Sequence, residues 1–241
     1  MAGLSILMPV FNERGTVAAA IDQVLATELP IAPVELIVVD DGSVDGTAEL
    51  LSGERWPAGV HFLRHDRNLG KGAAVRTALT AATGDYAAIM DADLEYDPAD
   101  LERMLEPALA HQAEVVFGTR GFDSHSAFSF WYVVGNKSVT LAANLLFNSW
   151  LADIMTCQKL MRTELFRSLD LRSTGFTIEP EITARVLSRG YQIYEVPVTY
   201  RARGRSEGKK LTASDGVRVL GTLVRCRVEG GRLPDRVRHH A

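Results

Sequence analysis

The sequence predicts an α/β fold, a mostly parallel β-sheet with helices on both faces. Two observations carry this expectation. Short β-rich runs alternate with helix-period runs through the first 120 residues, which is the pattern of repeated strand–helix–strand units. Those β-rich runs are also continuously apolar, as in Leu36-Ile37-Val38-Val39, and a strand that is apolar on both sides is buried on both faces.

Taken in order, strands are expected at Leu4–Val10, Val34–Asp40, Val60–Arg64, Tyr86–Asp91 and Val115–Thr119. Helical patterns fall between them at about Thr16–Leu29, Thr47–Leu51, Gly72–Thr83 and Pro98–Gln112. The second half is less regular. Phe128–Met155 is apolar and largely helical in pattern, followed by a short strand at Lys159–Met161 and a helix from Thr163. A further helix should start near Pro180, where proline suits an early helical position and Glu179 and Glu181 suit its positive end. Ile193–Tyr200 reads as a strand, Arg201–Lys210 as a polar loop and Ala213–Val228 as a last helix. In that helix Val217, Leu220 and Val224 share a stripe beside Arg218, Arg225 and Arg227. Two fates fit such a stripe: packing on the domain, or contact with an anionic bilayer.

Composition narrows the functional classes. With 241 residues, 46% of them hydrophobic, and a net charge of −4, the chain is expected to be a soluble globular protein with ample core. Cys157 and Cys226 are too few for a disulfide scaffold, which suits a reducing, cytoplasmic setting. Met1 leads straight into a strand-like run, and no stretch reaches the roughly 18 apolar residues of a spanning helix. The charge is uneven: residues 201–241 hold 11 Lys/Arg against 4 Asp/Glu, whereas the first 200 hold 15 against 26. An acidic body suits a metal site, and a basic end suits phosphate or an anionic membrane. Nucleic acid fits less well, because aromatics are not interleaved with the arginines. One domain is expected over 1–228, with 1–120 and 121–228 as its halves and 229–241 as a basic tail.

In a parallel sheet of this kind ligands sit outside the carboxyl ends of the strands, so the residues just after each strand should carry the chemistry. Pro9-Val10-Phe11-Asn12-Glu13 closes the first strand, Asp40-Asp41-Gly42-Ser43 the second, Asp91-Ala92-Asp93-Leu94-Glu95 the fourth and Gly118-Thr119-Arg120 the fifth. Turn chemistry explains Asp-Gly-Ser alone, but not carboxylates at several neighbouring strand ends. Asp91, Asp93 and Glu95 are oxygen ligands of the kind that suit Mg²⁺ or Mn²⁺ bridging two phosphates. No G-x-G-x-x-G follows the first strand, and no P-loop, H-E-x-x-H or paired C-x-x-C occurs. Arg120 also has a plain reading as an ion-pair residue, and Glu179 as a carboxylate at a helix start.

In that order, with Asn68-Leu69-Gly70-Lys71-Gly72, Asp153, Thr156-Cys157-Gln158-Lys159, Glu179-Pro180-Glu181 and Glu207-Gly208-Lys209-Lys210, the sequence resembles the family 2 inverting glycosyltransferases, which have the Rossmann-like GT-A fold. More narrowly it resembles the dolichyl- or polyprenyl-phosphate sugar synthases, over about residues 4–225. The resemblance implies a nucleotide-sugar site at Pro9, Val10, Phe11, Glu13, Asp41, Lys71, Asp91 and Ala92, and a metal at Asp91, Asp93 and Glu95. Asp93 would be catalytic through that metal. Arg120 and Arg203 would be catalytic residues facing the acceptor phosphate. Asn136 and Thr140 stand where some synthases place an arginine and a serine, and Lys137 is expected to supply the missing charge.

A phosphate acceptor is ionised already, so it needs positioning cations and no base. A soluble hydroxyl acceptor, the alternative, needs one. Glu179 is then the first candidate and Asp153 the second. A nucleotidyltransferase is a poorer fit, since Phe11-Asn12-Glu13 is no glycine-rich basic loop. A non-catalytic nucleotide-sugar module would need a broken acidic motif, and Asp91-Ala92-Asp93 is intact.

Overall fold

The computed structural model describes residues 2–53, 56–120, 130–201 and 213–231. Its seven strands are β1 (Leu4–Val10), β2 (Val34–Asp40), β3 (Val60–Arg64), β4 (Tyr86–Ile89), β5 (Val115–Arg120), β6 (Lys159–Arg162) and β7 (Ile193–Val198). The helices are α1 (Val17–Ala26), α2 (Thr47–Gly53), α3 (Lys71–Ala81), α4 (Asp100–Leu109), α5 (Phe130–Phe147), α6 (Thr163–Ser168), α7 (Ile178–Ser188) and α8 (Ala213–Glu229). The sheet order is β3-β2-β1-β4-β6-β5-β7. Only β6 runs antiparallel to its neighbours, β4 and β5. The carboxyl ends of β1, β2, β4 and β5 therefore lie along one edge, as the apolar pattern requires.

The alternation of side chains along each strand divides the core into two layers. Leu4, Ile6, Met8 and Val10 of β1 pack with α1 and α4 on one face. Leu7, with Ile37 and Val39 of β2, packs with α3, α6 and α7 on the other. A third cluster joins Val139, Ala143 and Phe147 of α5 to Ala184 of α7 and Val219, Leu223 and Cys226 of α8.

Strands β4 and β7 end two residues earlier than expected, and two helices differ in more informative ways. The long apolar stretch stops being helical at Phe147, because Asn148 takes a left-handed conformation, φ 48°, a common way to end a helix. Asn144 then caps the turn, its side chain accepting the amide of Leu151 at 2.9 Å. In α8 the stripe read from the sequence is not the one that packs on the domain. Val219, Leu223 and Cys226 pack inward, while Val217, Leu220 and Val224 are 71%, 41% and 50% exposed. Among the described residues no helix is long and apolar enough to cross a membrane.

One packing detail sets up the site. At the start of α3, Gly70 has φ +95°, and a Cβ on Gly70 or Gly72 would run into the backbone of Ser173 and Thr174. The 172–174 segment therefore lies directly on the first turn of α3. Glu181 holds it there, accepting the amides of Arg172 at 3.0 Å and Ser173 at 2.6 Å. This contact brings the start of α7, with Glu179, alongside Lys71.

Candidate active site

Lys71 is the centre of one cluster of charges, between Asp91 and Glu179. Its Nζ lies 2.7 Å from Asp91 Oδ2 and 2.6 Å from Glu179 Oε1. Burial alone would lower the lysine's pKa, but the two carboxylates outweigh it and hold Lys71 well above its usual value. Glu179 is 3% exposed, so the first candidate base is a buried, ion-paired carboxylate. Its second oxygen, Oε2, has no hydrogen-bond partner.

The acidic motif is arranged differently from expectation. Asp91 turns to Lys71, whereas Asp93 and Glu95 have other partners. Asp93 Oδ1 accepts the Glu95 amide at 3.1 Å, across Leu94 in a left-handed conformation, φ 60°. Glu95 Oε2 accepts the Tyr200 hydroxyl at 2.8 Å. Among the described residues no group of three or more His, Cys, Asp or Glu side chains is gathered to hold a metal. The expected set of Asp91, Asp93 and Glu95 is thus not assembled, because Lys71 takes Asp91. Mg²⁺ and Mn²⁺ sites on substrate phosphates need only one or two carboxylates, and the chemistry of Asp93 and Glu95 fits that smaller set.

On the other side of β4, Arg120 makes a two-pronged ion pair with Asp153, Nε to Oδ2 at 2.6 Å and Nη2 to Oδ1 at 3.0 Å. Its guanidinium also lies 5.1 Å from the centre of the Tyr200 ring. Asp153 further accepts from Asn136 Nδ2 at 3.3 Å and from the Met155 amide at 2.9 Å. Burial pushes the Asp153 carboxyl up, but Arg120 outweighs this and holds it below the usual carboxylate range. Such a carboxylate is a poor proton acceptor.

The remaining expected residues divide. Phe11 is exposed beyond the end of β1, and Glu13 Oε2 accepts the Thr16 hydroxyl at 2.6 Å. The side chains of Val10 and Ala92 are packed in the core, and the Val10 carbonyl accepts the Asp41 amide at 2.8 Å. Asp41, expected on the nucleoside, is 2% exposed. Its oxygens accept the amides of Leu69 at 2.9 Å and Gly70 at 2.7 Å and meet His65 Nδ1 at 2.7 Å. Its observed task is to fix the loop leading into Lys71. Lys137, expected to add charge beside Asn136, points outward and donates to the Ala152 carbonyl at 3.0 Å. Arg203 lies outside the described residues.

Two participants, His65 and Tyr200, are not marked by the sequence, and a third, Lys159, stands in a motif of the resemblance without a role. His65 also meets Thr77 Oγ1, at 2.9 Å, and carries no ligand spacing in the sequence. Tyr200 acts through tertiary contacts with Glu95 and Arg120. Lys159 had a visible signal, a lysine opening the apolar run Leu160-Met161. Cys157 is buried, and burial pushes its thiol well above the usual range, which makes it no nucleophile.

Comparison with known proteins adds a family. Residues 5–170 match Glycosyl transferase family 2. Glycosyltransferase AglJ of Haloferax volcanii is 32% identical over 200 residues, covering 82% of this chain and 63% of that protein. The low-salt glycan biosynthesis hexosyltransferase Agl6 of the same organism is 28% identical over 203 residues, covering 83% and 48%. The chain thus spans less than two thirds of either relative. Among solved structures, glucosyl-3-phosphoglycerate synthase from Mycobacterium tuberculosis, in complex with UDP, superposes with a TM-score of 0.70 at 19% identity, covering 97% of this chain and 82% of that one. Mannosyl-3-phosphoglycerate synthase from Rubrobacter xylanophilus gives 0.68 at 22% identity, covering 99% and 77%. These likenesses show a shared GT-A-like fold.

Proposed function

The chain belongs to glycosyl transferase family 2, and from that membership we propose that it moves a hexosyl group, with inversion, from a UDP- or GDP-sugar to a polyprenyl phosphate. The observation that carries the acceptor is that both candidate bases are engaged: Glu179 is ion-paired to Lys71 and Asp153 to Arg120. Using either carboxylate to take a proton would break a buried ion pair. A phosphate needs no such step. Its ionised oxygen attacks the anomeric carbon, the bond from that carbon to the leaving diphosphate breaks, and the electron pair departs with the diphosphate. Arg120, with Arg203, would hold the acceptor phosphate.

On the donor side Pro9, Phe11 and Glu13 would line the nucleoside position. Asp93, with Glu95 oriented by Tyr200, would hold a divalent ion. The Mycobacterium tuberculosis synthase has been solved with Mn²⁺ and UDP-glucose, which supports this choice of ion. A bound Mg²⁺ or Mn²⁺ offsets the charge that grows on the leaving diphosphate. Lys71 and Asp41 contribute by fixing the frame: one orients Asp91, the other the loop before α3.

A second reading keeps the donor and substitutes a soluble hydroxyl acceptor. Glu179 Oε2, buried without a partner, is the observation in its favour. The two readings differ in their response to mutation. With a phosphate acceptor, Arg203→Ala loses about 1.5–3 kcal/mol of acceptor binding, and Glu179→Gln keeps most of the transfer rate. With a hydroxyl acceptor, loss of the base costs about 10²–10⁴ in rate. Steady-state transfer assays of both variants decide: a dead Glu179→Gln beside a near-normal Arg203→Ala rejects the polyprenyl phosphate.

Such an acceptor places the reaction at the cytoplasmic face of a membrane. The exposed Val217, Leu220 and Val224, flanked by Arg218 and Arg225, would make peripheral contact there. The protein is expected to sediment with anionic liposomes at low salt, less so at high salt, and Leu220→Glu to stop it. No sedimentation at low salt removes the membrane role of α8.

A further inference from the structure

Lys159 is among the largest fully buried side chains, at 0% exposure, and neither donor nor acceptor binding as set out above uses it. Among the described residues it has no salt-bridge partner. Its Nζ donates to the Ile154 carbonyl at 3.1 Å and the Thr183 hydroxyl at 3.4 Å, and lies 3.8 Å from the centre of the Phe117 ring. These two partners belong to different halves of the site. Ile154 follows Asp153, the carboxylate that clamps Arg120. The Thr183 hydroxyl donates in turn to the Glu179 carbonyl at 3.0 Å, one turn back along α7, and Glu179 clamps Lys71.

We propose that Lys159, as the ammonium ion, is a positioning residue that braces the Lys71–Glu179 pair against the Arg120–Asp153 pair and so sets the donor side of the cleft relative to the acceptor side. The proposal rests on the transfer reaction given above for its catalytic consequence, though not for the brace itself.

Charge balance supports an ammonium at this point. Lys71 is shared between Asp91 and Glu179, and Arg120 belongs to Asp153, so three carboxylates face two cations. Lys159 adds a third cation from inside, with Glu195 of β7 a further carboxylate within its field. An apolar side chain would fill the same volume without the cost of burying a charge, so packing alone gives no reason for a lysine.

The groups that act on Lys159 are Glu179 on α7, Asp153 and Cys157 in the chain between α5 and β6, Lys71 on α3 and Glu195 on β7. Burial lowers its pKa from 10.5 to about 7, against the pull of Glu179 and Asp153. The bracing charge is therefore present below about pH 7 and lost as pH rises through it.

The sign for stability is the opposite. The unfolded lysine keeps its proton up to about its ordinary value of 10.5, so between the two values this group makes the fold more stable as pH rises. A purely structural lysine would show only that rise. A positioning ammonium adds a loss of transfer activity over the same interval.

The test uses the full chain with Lys159→Met. The thermal midpoint should fall with the fold retained, because buried carboxylate charge is left uncompensated, and transfer should fall about 10- to 100-fold with the donor KM within about 2-fold. The alkaline loss seen in the wild type between about pH 6.5 and 8.5 should disappear. A readout independent of turnover is the side-chain ¹⁵N NMR signal of Arg120 Nε–H, bonded to Asp153. It should shift with a midpoint near pH 7 in the wild type and stay flat in Lys159→Met. A step that persists in the variant, or none in the wild type, overturns the proposal, as does wild-type turnover in the variant. If no donor–acceptor pair gives product, the transfer reading fails while the Arg120 signal still decides the role of Lys159. Should Lys159→Met not fold, Thr183→Val removes only the link to α7, and wild-type transfer there overturns the proposal.

Discussion

Asp93→Ala is expected to abolish transfer, by at least about 10²–10³ in kcat on the scale set by loss of one transition-state electrostatic contact. Its unfolding transition should stay close to that of the wild type. The reason lies in the division of labour after β4. Asp91 is committed to Lys71 and Glu95 to Tyr200, while Asp93 accepts the Glu95 amide in the turn that follows β4. In the proposed reaction it contributes most to binding a divalent ion and the donor diphosphate. Chelation of the wild type should give the same loss, reversed by Mg²⁺ or Mn²⁺. Full activity in the variant, or in chelated enzyme, rejects the metal-dependent mechanism.

Lys71→Met is expected to have the largest effect on stability. Removing the ammonium leaves the Asp91 and Glu179 carboxylates side by side without their shared cation. Breaking a buried pair by deleting one partner typically costs about 3–5 kcal/mol. Urea unfolding measures it, and Glu179→Gln in the same chain should recover part of the loss, because it removes one of the stranded charges. A double-mutant cycle with no coupling would contradict the shared pair. A single variant as stable as the wild type would mean that the carboxylates are solvated rather than buried.

The difference between these two carboxylates of one motif was not legible in the sequence. Asp91 and Asp93 look equivalent in Asp91-Ala92-Asp93. What separates them is Lys71, brought in by the 172–174 segment lying on Gly70 and Gly72. The strands and most helices were legible, because apolar runs and helical periods are local properties of the chain. For the same reason the strand ends picked out the edge that carries Asp91, Arg120 and Phe11. The ion pairs Lys71–Glu179 and Arg120–Asp153 join residues from separate elements, and no local pattern encodes them. Asn136 and Lys137 illustrate the point at the scale of one helix. Adjacent in sequence, they differ by about 100° around α5, so one reaches Asp153 and the other faces outward. The two stripes of α8 divide in the same way: the sequence marked Val217, Leu220 and Val224, and packing selected Val219, Leu223 and Cys226.

Both ion pairs lead to the central claim, that the acceptor brings its own ionised oxygen and no side chain removes a proton. The most direct measurement offers the wild-type protein a panel of UDP- and GDP-sugars with Mg²⁺ or Mn²⁺, once with polyprenyl phosphate and once with the corresponding polyprenol, and weighs the products by mass spectrometry. A hexosyl polyprenyl phosphate formed from the phosphate alone is the expected result. Glycosylation of the polyprenol or of a soluble hydroxyl compound, with the polyprenyl phosphate left unchanged, would contradict it.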